Sequence, residues 1–262
     1  MNAGAAPGVG ADAGLDMRPC VLIPVYNHEH AIGAVVQAVL AHGVPCILVD
    51  DGSSPSCARV LDALAAASSG AVTLVRHQDN QGKGAATVTG FRQAARDGYT
   101  HVLQVDADGQ HCVADIPRFL ALSARHPAAI IAGIPIYDES VPSLRLYARY
   151  LTHVWVWINT LSFAIRDSMC GFRLYPLAPV QALLERVALG RRMNFDTDIV
   201  VRLHWAGVAV INLPTRVSYP SDGVSHFRAF RDNVLISCMH AQLFFGMLVR
   251  LPVLLGRKWQ RK

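Results

Sequence analysis

From residue 20 to residue 108, short apolar runs alternate with segments of helical length, and the runs end in polar turns. "CVLIPVYN" (20–27) precedes "AIGAVVQAVLAHG" (31–43), and "VPCILVDDGSS" (44–54) precedes "CARVLDALAAASSG" (57–70). "AVTLVRH" (71–77) leads into "GKGAATVTGFRQAARDG" (82–98), and "HVLQVDAD" (101–108) closes the series. Strands that alternate with helices in this way build a parallel sheet with right-handed crossovers. The pattern therefore predicts an α/β fold. In open sheets of this class, ligands bind outside the carboxyl ends of the strands. The polar residues gather at those ends: Tyr26 and Asn27, then Asp50 and Asp51, then Asp106 and Asp108. Three strand ends point to one site.

The acids of "DADGQH" carry a chemical constraint of their own. Asp106 and Asp108 stand one residue apart at the end of a strand expected to be buried. Two carboxylates there repel each other, and burying either is costly without a compensating positive charge. A divalent cation supplies that charge, because hard cations prefer oxygen ligands.

The second half is less regular. "AAIIAGIP" (128–135) reads as a strand and "LRLYARYLTHVWVWINTLSFAI" (144–165) as a long aromatic helix. "CGFRLYP" (170–176) reads as a short strand or loop, and "FDTDIVVRLHWAG" (195–207) as a helix whose first acids suit the helix dipole. "VAVINLPTRVSYP" (208–220) reads as a strand broken by Pro214. No internal repeat or low-complexity linker divides the chain. The expected organisation is a disordered lead-in (1–17), one domain (18–228) and a helical apolar tail (229–262).

At 262 residues the chain can bury the core of one large α/β domain. Its net charge of +5 suits a nucleotide, a phosphate or an anionic membrane surface, and is too scattered to indicate nucleic acid. The six cysteines lie far apart without a C-x-x-C pair, and Cys20 and Cys46 read as small buried hydrophobes. A reducing compartment is the simplest reading. "MNAGAAPGVGADAGLD" has no basic residue and no apolar core, so it does not read as a signal peptide.

"IPVYN", "VDDGSS", "NQGKGAA" and "DADGQH", followed by "DSMCGFRLYP", "FDTDIVVRLHWAG" and "YPSDGVSHF", resemble the family 2 glycosyltransferases over roughly residues 19–228. The pattern is most similar to the polyprenyl-phosphate, dolichyl-phosphate mannose synthase-like branch. The resemblance implies a GT-A fold, a UDP- or GDP-linked sugar donor, Mg²⁺ or Mn²⁺, and a lipid or lipid-phosphate acceptor. It implies that Pro24, Tyr26 and Asn27 lie under the nucleotide base. Asp51 would accept a hydrogen bond from a ring N–H, which uracil and guanine present. Lys83, between Gly82 and Gly84 at a helix N-terminus, would meet the diphosphate or the donor sugar. Asp106, Asp108 and Gln110 would hold the metal, with His111 as a neighbour, and the ion would stabilise the departing nucleoside diphosphate. Asp196, with Asp198 in reserve, falls where the family carries its catalytic base, although Phe195 replaces the glutamate that often precedes it. Arg173 would meet an acceptor phosphate. His226, after Ser225, would close over the metal and diphosphate.

Two other readings compete. A nucleotidyltransferase on a similar sheet usually shows a Gly-rich phosphate loop near its first strand, and "IPVYNHEH" has none. A membrane-bound module that has lost turnover would not need the intact D-x-D, Gln110 and Lys83.

The tail "VLISCMHAQLFFGMLVRLPVLL" (234–255) is about long enough to cross a bilayer. Arg250 and Pro252 favour an interfacial helix instead. Leu243, Phe244, Met247, Leu248, Leu251 and Leu255 are expected on its lipid face. Arg257, Lys258, Arg261 and Lys262 are expected at the headgroups of the cytoplasmic membrane face.

Overall fold

The computed structural model describes residues 16–137, 143–218 and 228–259. Of the expected lead-in, residues 1–15 lie outside them, as do His226, Arg261 and Lys262. The first half follows the alternation: β1 (Pro19–Val25), α1 (Ile32–Leu40), β2 (Cys46–Asp50), α2 (Pro55–Ala67), β3 (Val72–Arg76), α3 (Lys83–Arg96) and β4 (His101–Gln104). Then come α4 (Ile116–Arg125), β5 (Ile130–Tyr137), α5 (Ser143–Thr160), β6 (Arg173–Pro176), α6 (Leu177–Leu184), α7 (Phe195–Trp205), β7 (Val210–Val217) and α8 (Ala229–Trp259). The sequence pattern did not give α4 or α6. For α4 the signal was there, since Ile116, Phe119 and Ser123 are its buried positions at near-helical spacing.

The seven strands run in the order β3-β2-β1-β4-β6-β5-β7. β1 to β4 are parallel, as the alternation requires, but β6 is antiparallel to both β4 and β5. Its reversal brings the start of β6 beside the end of β4, with Gln104 opposite Arg173. β7 runs through Pro214 without a break and pairs with β5 along its length. It is an edge strand, where a missing backbone donor is tolerated.

Pro24 lies buried inside β1 rather than in the loop after it. Leu22 C=O still accepts from Val105 N–H, but the β1–β4 ladder ends there. Backbone groups alternate along a strand, so position 24 faces the side from which β4 has already diverged. A proline there leaves no partner wanting, and the two strands part just before Asp106.

The core fills both faces of the sheet. α3 and α5–α8 cover one face around Leu22, Ile47, Val102 and Tyr175. α1, α2 and α4 cover the other around Val21, Leu48, Leu103 and Leu174. α8 belongs to the first cluster: Met239, Leu243, Met247 and Leu254 are buried in it. Arg257 donates to the carbonyls of His204 and Trp205 at the end of α7, and Arg250 stacks over the Trp205 ring at 4.8 Å. The face expected to meet lipid is thus largely the packed face, with only Leu248 and Leu255 of it exposed. Deleting residues 234–262 would strip the core and is no test of membrane binding.

His240 gives this packing a pH signature. Its ring faces Trp155 of α5 at 6.0 Å, and its Nδ1 lies 3.4 Å from Asn159 Nδ2. Burial holds its pKa down at about 4, against 6.5 in the unfolded chain. The unfolded chain therefore takes up this proton first, and stability falls as pH drops from about 6.5 to about 4. The expected loss over that window is roughly 3 kcal/mol. Urea unfolding at pH 7 and pH 4.5 checks it: His240→Gln should lose less stability on acidification than the parent. Equal losses would refute the assignment.

Candidate active site

Two loops are stitched together under the site. Asn27 adopts a left-handed φ of 54°, which its short polar side chain tolerates. Its N–H donates to Ser53 Oγ at 3.1 Å, and its Oδ1 accepts from Ser54 N–H at 2.7 Å. Tyr26 is half-buried beside it. Asp50 is buried and anchored by Arg76 Nε at 2.6 Å and Ser53 N–H at 2.9 Å.

Asp51 is almost wholly buried and fixes the loop before α3. Its Oδ1 accepts from His77 Nδ1 at 2.8 Å and Gln81 N–H at 2.9 Å, and its Oδ2 accepts from Gly82 N–H at 2.7 Å. His77 Nε2 is held in turn by Thr89 Oγ1 at 2.9 Å. Whatever else Asp51 does, it places the residue before Lys83.

Gly82 and Gly84 answer to a different partner from the one the sequence suggested. A Cβ on Gly82, which has a φ of +104°, would lie 2.4 Å from the Arg191 carbonyl oxygen. A Cβ on Gly84 would lie 2.3 Å from that of Gly190. Ala85 N–H donates to Arg191 C=O at 3.0 Å. These glycines admit the Gly190–Arg191 backbone to the start of α3.

That close approach brings together residues distant in sequence. Lys83 Nζ lies 2.7 Å from Asp106 Oδ1 and 2.9 Å from Asp196 Oδ2. One ammonium thus bridges the end of β4 and the start of α7. Asp196 Oδ1 accepts from Gln104 Nε2 at 2.9 Å. Burial alone would lower the lysine pKa, but Asp106 and Asp196 outweigh it and hold it well above the ordinary value. Burial alone would raise the Asp106 carboxyl, but Lys83 and then His111 keep it far below the usual range. His111 Nε2 donates to Asp106 Oδ2 at 3.2 Å, and its ring stacks on Phe172 at 5.2 Å. Gly171 closes the other side, since a Cβ there would lie 2.6 Å from Asp106 Oδ2. The turn before it is capped by Asp167, which accepts from Met169 and Cys170 N–H and pairs with Arg149.

The oxygen donors suit a hard divalent ion. Asp108 Oδ1 accepts from Gln110 N–H at 3.0 Å, so Asp108 and Gln110 share the tight turn that follows Asp106 in the chain. Asp106 Oδ1 has no hydrogen-bond donor beyond its Lys83 ion pair, and His111 Nδ1 is buried without a partner. Among the described residues, no three His, Cys, Asp or Glu side chains form a metal cage. A site with two carboxylates that leaves further positions to substrate phosphates is the kind Mg²⁺ prefers.

Two expected residues are held by buried structural contacts. Arg173, expected to meet an acceptor phosphate, is fully buried. Its Nη1 donates to the Asp196 backbone carbonyl at 2.5 Å, so it positions Asp196. Asp198 is committed to Gly190 N–H at 2.9 Å and Arg202 Nε at 2.5 Å, so it holds the loop that crosses Gly84. The sequence reading passed over Gln104, His77 and Gly171. Gln104 had a visible signal: it is a polar residue inside an apolar strand, and such a residue needs a buried partner.

The family model described as Glycosyl transferase family 2 matches residues 20–192. Among curated relatives, the polyprenol monophosphomannose synthase of Mycolicibacterium smegmatis is 28% identical over 227 residues, 79% of this chain and 80% of that one. The UDP-N-acetylglucosamine–dolichyl-phosphate N-acetylglucosaminyltransferase of Methanococcus voltae is 32% identical over 196 residues, 69% of this chain and 78% of that one. Among solved structures, glucosyl-3-phosphoglycerate synthase of Mycobacterium tuberculosis, in complex with Mn²⁺, uridine diphosphate and glucosyl-3-phosphoglycerate, has the same fold. Its TM-score is 0.58 at 16% identity, over 89% of this chain and 79% of that one. With its D-x-D turn at the end of β4, its GT-A sheet order and this family match, the chain belongs to glycosyl transferase family 2, as a glycosyltransferase similar to the polyprenyl-phosphate branch.

Proposed function

We propose that the chain transfers a sugar, with inversion, from a UDP- or GDP-linked donor to a lipid-linked acceptor, a polyprenyl phosphate above all, at the cytoplasmic membrane face. The observation that carries this reading is the Lys83 ammonium shared by Asp106 and Asp196. It joins the donor end of the site to the residue best placed to meet an acceptor. The relatives named for polyprenol and dolichyl phosphate support the acceptor class.

The acceptor oxygen attacks the anomeric carbon as the bond to the diphosphate oxygen breaks. The electron pair leaves on the nucleoside diphosphate. A phosphate acceptor is already ionised and sheds no proton, whereas a hydroxyl acceptor passes its proton to the Asp196 carboxylate. Lys83 steadies negative charge between the two centres, and Gln104 and Arg173 fix Asp196. Asp51 orders the loop beneath the base, with Tyr26 and Asn27 alongside. A divalent ion held by Asp106, Asp108 and Gln110 supplies Lewis-acid stabilisation of the leaving diphosphate when bound.

The membrane face we assign differs from the packed side of α8. Phe230, Val234, Phe245, Val249 and Val253 recur along its outer side, and Phe230 and Val249 are 86% and 81% exposed. Leu151, Trp155 and Ile158 of α5 add exposed apolar surface next to it, where Trp155 meets Phe244 edge-on. Phe230–Arg257 is long and apolar enough to cross a bilayer. Packing of its inner side on α5 and α7 favours a helix lying at the interface.

Calorimetry with UDP and GDP, with and without Mn²⁺, tests the donor half. Asp108→Asn replaces a charged ligand by a neutral one and should remove most of the Mn²⁺-dependent affinity. Unchanged affinity in a folded variant would refute the D-x-D assignment. Transfer of labelled sugar to polyprenyl phosphate in vesicles tests the acceptor half.

A further inference from the structure

Three arginines converge beside this site with no carboxylate among them. Arg191 and Arg192 lie on the loop that crosses Gly82 and Gly84, and Arg231 lies in the first turn of α8. With Asn80, Gln81, Asn194 and Leu235 they line a pocket of ≈ 410 Å³. Arg191 Nη2 donates to Gln81 Oε1 at 2.6 Å, and Arg192 Nη1 to Asn80 Oδ1 at 3.4 Å. These partners are neutral amides, which orient a guanidinium without offsetting its charge. Among the described residues, the arginine–carboxylate pairs are those of Arg76, Arg118, Arg149 and Arg202, and none involves the three. Like charges gathered in one pocket repel, and an anion removes that cost. Planar guanidinium forks match phosphate oxygens geometrically.

The walls indicate what carries the phosphate. Leu235 sits one helical turn beyond Arg231, and the exposed Phe230 and Val234 flank that turn on the outer ridge of α8. An anion in this pocket can therefore keep an apolar chain on α8. On the other side, Asn194 and Arg192 connect it to Phe195 and Asp196 at the start of α7. We propose that Arg191, Arg192 and Arg231 form a subsite for the phosphate of a lipid, apart from the Asp106–Asp108 turn. This rests on the lipid-acceptor reading above. The phosphate can be the acceptor's own or the phosphodiester of a surrounding anionic lipid.

Vesicle flotation of the full chain distinguishes these sources. The probes are phosphatidylcholine alone, phosphatidylcholine with a polyprenyl phosphate, and phosphatidylcholine with phosphatidylglycerol at matched charge. The parent should prefer the two anionic vesicles over phosphatidylcholine alone, whose phosphodiester is neutralised by its own choline. Arg192→Gln/Arg231→Gln should lose that preference by about thirtyfold, as expected for two headgroup arginines. Its Mn²⁺-dependent nucleoside diphosphate binding should stay intact, which also reports folding. Loss confined to polyprenyl phosphate assigns the acceptor, and loss on both vesicles assigns the general headgroup. Either supports the subsite. A variant that keeps its preference overturns it. So does one that loses nucleotide affinity, which would make the pocket the donor's. A parent without any preference also overturns it, and intact nucleotide binding would then leave the glycosyltransferase reading standing.

Discussion

Lys83→Met is expected to destabilise the folded chain by about 3–5 kcal/mol, the cost of removing one partner from a buried charge cluster. Methionine keeps much of the length and the apolar stem. It leaves the Asp106 and Asp196 carboxylates, now 2.7 Å and 2.9 Å from one ammonium, facing each other without it. Lys83 is only 19% exposed, so water compensates little. Sugar transfer should fall at least ~100-fold, the usual scale for losing one charge-stabilising group in an active site. The pH dependence has a definite sign. In the parent, Asp106 titrates below its unfolded value of 3.8, so the stabilisation by Lys83 is present above that pH and fades below it. The gap between parent and variant should be widest near neutrality and close as pH falls below about 4. Urea unfolding at several pH values measures it. A variant with parental stability at pH 7 would show that the ammonium does not compensate the two acids.

Asp51→Ala should be nearly as damaging, and for a reason that the sequence concealed. It removes the acceptor of Gln81 N–H, Gly82 N–H and His77 Nδ1 together. Each buried donor left unpaired costs about 1–3 kcal/mol. The loop that delivers Lys83 should loosen, and both stability and nucleotide affinity should fall. Asp51→Asn separates scaffolding from base recognition. An amide can donate where the carboxylate could only accept, so direct contact with the base would shift preference from UDP toward CDP. Cytosine presents a ring acceptor where uracil presents an N–H. A purely structural Asp51 would weaken both nucleotides equally. Calorimetry of the two diphosphates with parent and variant decides between these outcomes, and an unchanged UDP:CDP ratio would remove Asp51 from base selection.

The site was partly legible because its acids end strands. Asp51 and Asp106 follow apolar runs whose burial is dictated by composition, so their clustering at the carboxyl ends of the parallel strands follows from chain direction alone. The contacts of Arg173 and Asp198 were hidden for the converse reason. Both side chains carry charge, and a charged side chain in a motif reads as a surface contact. Here one lies in an antiparallel strand under the site, and the other clamps a loop. Neither environment leaves a periodic trace. The same limit applied to α8. Its apolar residues cover both the packed and the exposed side, and spacing alone cannot tell which of two apolar stripes meets the core.

By itself the sequence determined the parallel half of the sheet, the D-x-D turn at the end of β4 and the family. These rest on local periodicity and on contiguous motifs, which need no knowledge of distant partners. The tertiary structure alone decided that β6 runs antiparallel, that Gly82 and Gly84 serve the Gly190–Arg191 backbone, and that α8 packs through Met239, Leu243 and Met247. It alone joined Lys83 to Asp196 across the chain. Such contacts depend on which buried charges and close backbone approaches can be satisfied together in three dimensions, and no single stretch of sequence records that balance.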